Sequence, residues 1–145
     1  MHKICNCNQS KYLELKNKLI QIYLNLIILD VPRHKSGKNY SGLDKSRFNP
    51  KGCCNIPTIE IYVDSDDLLN NPCHKIATLA HEFGHYQSHI NNNYQLRDKN
   101  IIEEIRAWRL GFKFLVSENI DIYHLIYFSV KSICTHIKGK FCNGR

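Results

Sequence analysis

The stretch TLAHEFGHYQSHIN, residues 78–91, constrains this chain more than any other part of it. Asn71-Pro72 opens a helix there, with proline in the first turn, and the asparagines at 91–93 close it. Ile76, Leu79, Ala80 and Phe83 make most of that helix apolar, so it belongs largely in the interior. His81, Glu82 and His85 are carried inward with it, and buried groups of this kind need polar partners or a metal. Residues four apart on a helix lie about 5–6 Å from each other. His81 and His85 can therefore offer ring nitrogens to one ion. Glu82 is turned about 100° from His81 and can reach past such an ion to a water on it without being a ligand. That division of labour is the physical content of the H-E-x-x-H spacing. The competing reading, a face of solvated histidines, fits the apolar neighbours poorly. Gly84 costs the helix about 1 kcal/mol relative to alanine, which is understandable where another backbone or a substrate must come close.

Two histidines leave such a site short of a third protein ligand. A continuation H-x-x-G-x-x-H would need glycine at 88 and histidine at 91, and the chain has Ser88 and Asn91. His89, a turn further on, reaches poorly to an ion between 81 and 85 and is expected at the surface. The favoured source is NIIEEIRAWRLGF, in a helix expected over about residues 99–117. Eighteen residues separate His85 from Glu104, enough for a turn and an antiparallel return. Ala107, one turn beyond Glu104, is small and would let the two helices pack closely. Glu103, rotated by about 100°, is expected at the surface or behind the ligands.

The remaining elements read less sharply. Leu13, Leu19, Ile20, Tyr23, Leu24, Ile27 and Ile28 recur at helical spacing and predict a helix from about Tyr12 to Asp30, stopped by Pro32. RHKSGKNYSGLDKSRFNPKGCCNIP reads as a long loop or an irregular small sheet. TIEIYV, residues 58–63, alternates, with Ile59, Ile61 and Val63 facing one way and Thr58, Glu60 and Tyr62 the other. A last helix is expected over about residues 120–138. The fold expected is α+β and mainly helical, with one short antiparallel sheet beside the histidine-bearing helix. A single domain over residues 1–145 would join a basic N-terminal helix and loop, 1–55, to a core at 56–138.

Composition narrows the class. With 145 residues, 43% of them hydrophobic and 23% charged, the chain is globular and not disordered. Its longest apolar stretch, LIQIYLNLIIL, is too short and too interrupted to span a bilayer. No export signal is visible at the N-terminus, so an intracellular protein is expected. Residues 1–55 hold ten Lys/Arg against three Asp/Glu, and residues 56–145 ten of each, so the net +7 lies wholly in the first part. Such a segment can meet nucleic acid or an acidic partner, although more often it is a solvated surface. The seven cysteines are odd in number, and neither Cys5-x-Cys7 nor Cys53-Cys54 has the spacing of a zinc knuckle. Free thiols in a reducing compartment are expected, a second structural metal site being only weakly signalled.

TLAHEFGHYQS resembles the active-site helix of the ImmA/IrrE-type peptidases, gluzincins in which a Leu-rich lead-in precedes H-E-[LF]-G-H. The E-x-x-A of Glu104 to Ala107 resembles their third-ligand motif, and IPTIEIYV stands where such folds carry the edge strand beside the active site. The likeness covers about residues 56–116 and is specific in the two motifs only. It implies a zincin-like zinc-dependent peptidase acting on a protein or peptide. One catalytic Zn2+ would be held by His81, His85 and Glu104, with Glu82 as general base and the substrate strand paired along TIEIYV. One departure stands out. Trp108 occupies the place where related motifs often carry Asp or Asn, and an indole N–H cannot accept a proton from a ligand histidine. The orienting acceptor would then be a backbone carbonyl or a carboxylate such as Glu103 or Asp98. Tyr123, His124, Tyr127 and His136 are candidate oxyanion donors. The main alternative is a non-catalytic zinc-bearing module that binds nucleic acid or a protein through the basic first 55 residues. A regulator that cleaves one specific protein is a third.

Overall fold

The histidine-bearing helix α2, Pro72–Asn91, is the element on which the others are hung. The computed structural model describes residues 5–31, 42–45, 59–64, 72–92 and 100–143. In chain order these form α1 (Gln9–Ile22), β1 (Leu26–Val31), β2 (Gly42–Lys45), β3 (Ile59–Asp64), α2, α3 (Ile101–Ser117), a 3-10 turn at Tyr123–Leu125, and α4 (Ile126–Asn143). The protein is thus a mainly helical α+β structure. α2 packs chiefly on α3 and also on β3, α1 and β2. Ile76, Ala77, Leu79, Ala80, Phe83 and Tyr86 are buried by these neighbours. Among the described residues, no helix is long and apolar enough to cross a membrane.

The sheet has the order β1-β3-β2, with β3 central. β1 runs parallel to β3, Leu26 opposite Ile59 and Val31 opposite Asp64, while β2 runs antiparallel to it. The sheet is therefore mixed, not antiparallel as expected. Ile59, Ile61 and Val63 of β3 are buried, as their spacing predicts. β3 is not an edge strand, however, because β1 and β2 take both of its sides. β2 falls inside the segment expected as a loop or small sheet.

The first helix is shorter than the periodicity predicts. Asn8 caps α1 by accepting the Lys11 N–H at 2.6 Å. Tyr12, Leu15 and Leu19 form its buried stripe, and it ends at Ile22. Leu26 to Val31 leave the helix and become a strand. A central β3 needs hydrogen-bond partners on both sides, and the Ile59 N–H is met by the Asn25 carbonyl at 2.8 Å. Within an unbroken apolar run, helical and strand periods are hard to tell apart. Here the β-branched residues and the need to pair β3 decide for the strand.

The ends of α3 are set by asparagines. Asn100 accepts the Glu103 N–H at 2.9 Å, placing Glu103 and Glu104 in the first turn, where the helix dipole favours acidic groups. At the other end Asn119 takes a positive φ of 61°. The Ile120 N–H bonds to Leu115 O and the Asn119 N–H to Val116 O, each at 3.0 Å, completing a Schellman cap. The last helix begins later than expected because Asp121 accepts the Tyr123 N–H at 3.0 Å, holding that stretch as a turn.

Candidate metal centre

The close approach of α2 and α3 builds the site. A Cβ on Gly84 would lie 1.8 Å from the Ala107 carbonyl oxygen, and one on Gly111 would lie 2.3 Å from that of Ala80. The two helices therefore touch backbone to backbone through two reciprocal pairs of small residues, running antiparallel. Only glycine leaves room there. One turn before Ala107, Glu104 is brought over the α2 face that carries His81 and His85.

Three side-chain ends converge there. Glu104 Oε2 lies 3.0 Å from His81 Nε2, Glu104 Oε1 lies 3.2 Å from His85 Nε2, and the two ring nitrogens are 3.2 Å apart. Nitrogen and oxygen ligands bound at about 2.0–2.2 Å in a tetrahedron lie about 3.3 Å from one another. The two imidazole nitrogens and the Glu104 carboxylate, one oxygen facing each ring, are thus spaced as ligands of a small divalent ion would be. Glu82 does not belong to this group.

Charge makes the same point. His85 Nδ1 lies 3.3 Å from Glu103 Oε1. A neutral His85 that donates from Nδ1 to this carboxylate turns a lone pair on Nε2 toward Glu104. Lone pair and carboxylate oxygen then face each other and call for a cation between them. In the absence of metal that cation is a proton. Burial alone would push His85 down, but the hydrogen bond to Glu104 and the charges of Glu82 and Glu104 outweigh it, and its pKa is raised. For Glu104 burial acts upward, while the hydrogen bonds from His81 and His85 hold its carboxyl well below the usual range.

Glu103, expected at the surface or behind the ligands, is only 4% exposed and stands behind them. Besides His85 it accepts the Ser88 hydroxyl at 3.1 Å and pairs with the Arg106 guanidinium. It supplies the orienting carboxylate that Trp108 cannot. Asp98, the other acceptor considered, lies outside the described residues. Trp108 stacks on the His81 ring, with centroids 4.3 Å apart and planes 25° from parallel. His81 Nδ1 has no hydrogen-bond partner among the described residues, so the ring is positioned by this stacking and by the contacts of Nε2 with Glu104 and His85.

Glu82 is 7% exposed and lines, with His81, a pocket of about 260 Å³ whose other walls are His74, Thr78, Trp108, Phe128 and Ser132. His74 and Ser132 were not singled out in the sequence. His74 stands seven residues before His81, two helical turns along the same face, which is the one signal that could have found it. The oxyanion candidates fare differently. His124 is turned to Cys5 and Cys7, Tyr123 and Tyr127 are exposed, and His136 is absent from the pocket lining. His89 is not at the surface: it is 2% exposed, because α2 is covered along its length and buries even polar positions. It takes no part in the His81, His85 and Glu104 group.

Comparison with family models, with curated proteins and with solved structures returns no significant match, so the likeness to the gluzincins rests on the motifs alone.

Proposed function

We propose that this chain is a zinc-dependent peptidase of zincin-like fold, with His81, His85 and Glu104 as metal ligands and Glu82 as general base. The observation that carries the reading is the convergence of ligand atoms from His81, His85 and Glu104, with His81 and Glu82 lining an adjacent pocket. The donor set, two imidazoles and a carboxylate with a fourth position left over, is that of a catalytic zinc site. A bound zinc ion would polarise the substrate carbonyl and lower the pKa of a water toward about 7.

The protein's own residues do the rest. Glu104 neutralises charge, Glu103 fixes the His85 ring, and Trp108 fixes the His81 ring and shields it from water. Glu82 accepts the proton of the attacking water and returns it to the leaving amine nitrogen. At about 260 Å³ the pocket is small for a ligand site and suits one substrate side chain, against Trp108 and Phe128. A substrate strand cannot pair along β3, which has β1 and β2 on its two sides. Among the described strands only β1 and β2 have an outer edge, and an extended peptide would add there.

The test is Glu82→Gln, assayed at matched metal content on a peptide library and on cell extract. The variant keeps its metal and loses about 10²–10⁴-fold in rate. Cleavage equal to the wild type would end the proposal.

A further inference from the structure

A second group of metal-ligating side chains gathers at the N-terminal end of α2. Cys5 and Cys7 precede α1, Cys73 lies in the first turn of α2, and His124 lies in the 3-10 turn before α4. Cys5 Sγ is 3.1 Å from Cys73 Sγ and 3.1 Å from His124 Nε2, while Cys7 Sγ is 3.3 Å from His124 Nε2. The four ligand atoms all lie within 4.8 Å of one another. We propose that Cys5, Cys7, Cys73 and His124 hold a second, structural zinc ion in tetrahedral Cys3His coordination.

Donor chemistry and topology carry the proposal together. Sulfurs bound to zinc at about 2.3 Å lie about 3.8 Å apart in a tetrahedron, so the four atoms, all within 4.8 Å of one another, are close enough to share one ion after small side-chain adjustments. The segments come from positions 68 and 119 residues apart, so no local turn forces the four together. The Cys7 N–H donates to Cys5 Sγ at 3.3 Å, folding the segment around a sulfur that can carry negative charge. All four positions are filled by protein, leaving none for substrate, which marks the site as structural. On binding, the three thiols release three protons to solvent and the site, three thiolates and one Zn2+, carries a net charge of −1.

Cys73 lies eight residues before His81, about 12 Å along the helix, so the two groups do not share an ion. The second site fastens the N-terminal segment and the start of α4 to the helix that bears the first. α4 supplies Phe128 and Ser132 to the pocket beside Glu82. Cys134, free and exposed, is a thiol outside the cluster and serves as an internal control.

The experiment measures zinc per chain in full-length protein purified under reducing conditions. The wild type holds two ions and His85→Ala/Glu104→Gln holds one. Cys7→Ser/Cys73→Ser holds one if it folds, and the combination of all four changes holds none. Because the cysteine variant can fail to fold, the decisive sample is His85→Ala/Glu104→Gln, which keeps the whole Cys3His group. Loaded with Co2+, it shows thiolate-to-cobalt charge-transfer absorption and tetrahedral visible bands. Its Cys5, Cys7 and Cys73 resist iodoacetamide while Cys134 reacts, and a chelator abolishes the difference. A metal-free His85→Ala/Glu104→Gln protein, cobalt without thiolate absorption, or equal alkylation of all four cysteines would overturn the proposal. So would a Cys5–Cys73 disulfide that persists under these conditions, and iron in place of zinc would overturn the metal's identity.

Discussion

His85 Nε2 and Glu104 Oε1 face each other across 3.2 Å, a gap that a proton or a metal ion can fill, but not both. The raised pKa of His85 means that the proton is a competitor at higher pH than for an ordinary histidine. Metal binding expels it, so affinity rises with pH until His85 is deprotonated and then levels off in that group. In metal-free protein the sign is reversed: the His85–Glu104 pair stabilises the fold below the ordinary histidine value and is lost as pH rises through the raised one. Competition with a chromophoric chelator between about pH 5.5 and 8.5, the range histidines span, measures the first effect, and a flat profile would contradict it. Glu103→Gln keeps shape but removes the charge that orients His85. It should weaken metal binding by about 10–100-fold while Glu82 is untouched.

Among the elements, the α2–α3 contact is the most demanding. Gly84→Ala would push a methyl group into the Ala107 carbonyl, where only backbone can give way. Overpacking costs about 1–3 kcal/mol and occasionally more. The upper end is expected here, together with weaker metal binding as Glu104 is levered from the histidines. A variant with wild-type melting and wild-type affinity would refute this packing account. A second joint ties β1 to the helices. Asp30 accepts Tyr12 Oη at 2.6 Å and Lys16 Nζ at 2.8 Å, with Lys75 Nζ at 3.4 Å. Burial pushes the Asp30 pKa up, but the hydrogen bonds from Lys16 and Tyr12 and the lysine charges bring the net value down. Its stabilisation is present above the unfolded-state value and is lost as pH falls through the lower folded one. Acid melts of Asp30→Asn should therefore show a shallower fall than the wild type. Much of this was readable from the chain. α2 and α3 declare themselves by apolar spacing and flanking Asn and Pro, and Ala107 pointed to the close packing that carries Glu104. Residues 26–31 did not, because only the pairing needs of β3, more than thirty positions away, turn an apolar run into a strand. The burial of His89 and the gathering of Cys5, Cys7, Cys73 and His124 likewise depend on which elements surround α2, which no local spacing records.

For the whole molecule, the net charge of +7 lies entirely in residues 1–55. Any attraction of acidic groups to it would be screened beyond about 8–10 Å at physiological salt. If the protein cleaves peptides, the second-order rate for acidic ones should fall more steeply with ionic strength than that for neutral ones. Equal slopes would assign the charge to solubility alone. Nucleic-acid binding through the same segment would show as affinity that drops with salt and is indifferent to Glu82→Gln. The central claim is narrower and does not need a substrate. Its most direct test is the zinc content of the full-length protein purified under reducing conditions, wild type against His85→Ala and against Glu104→Gln. His85→Ala is predicted to hold one zinc fewer per chain than the wild type, and Glu104→Gln to hold that ion more weakly. Metal content that ignores both changes would contradict the site.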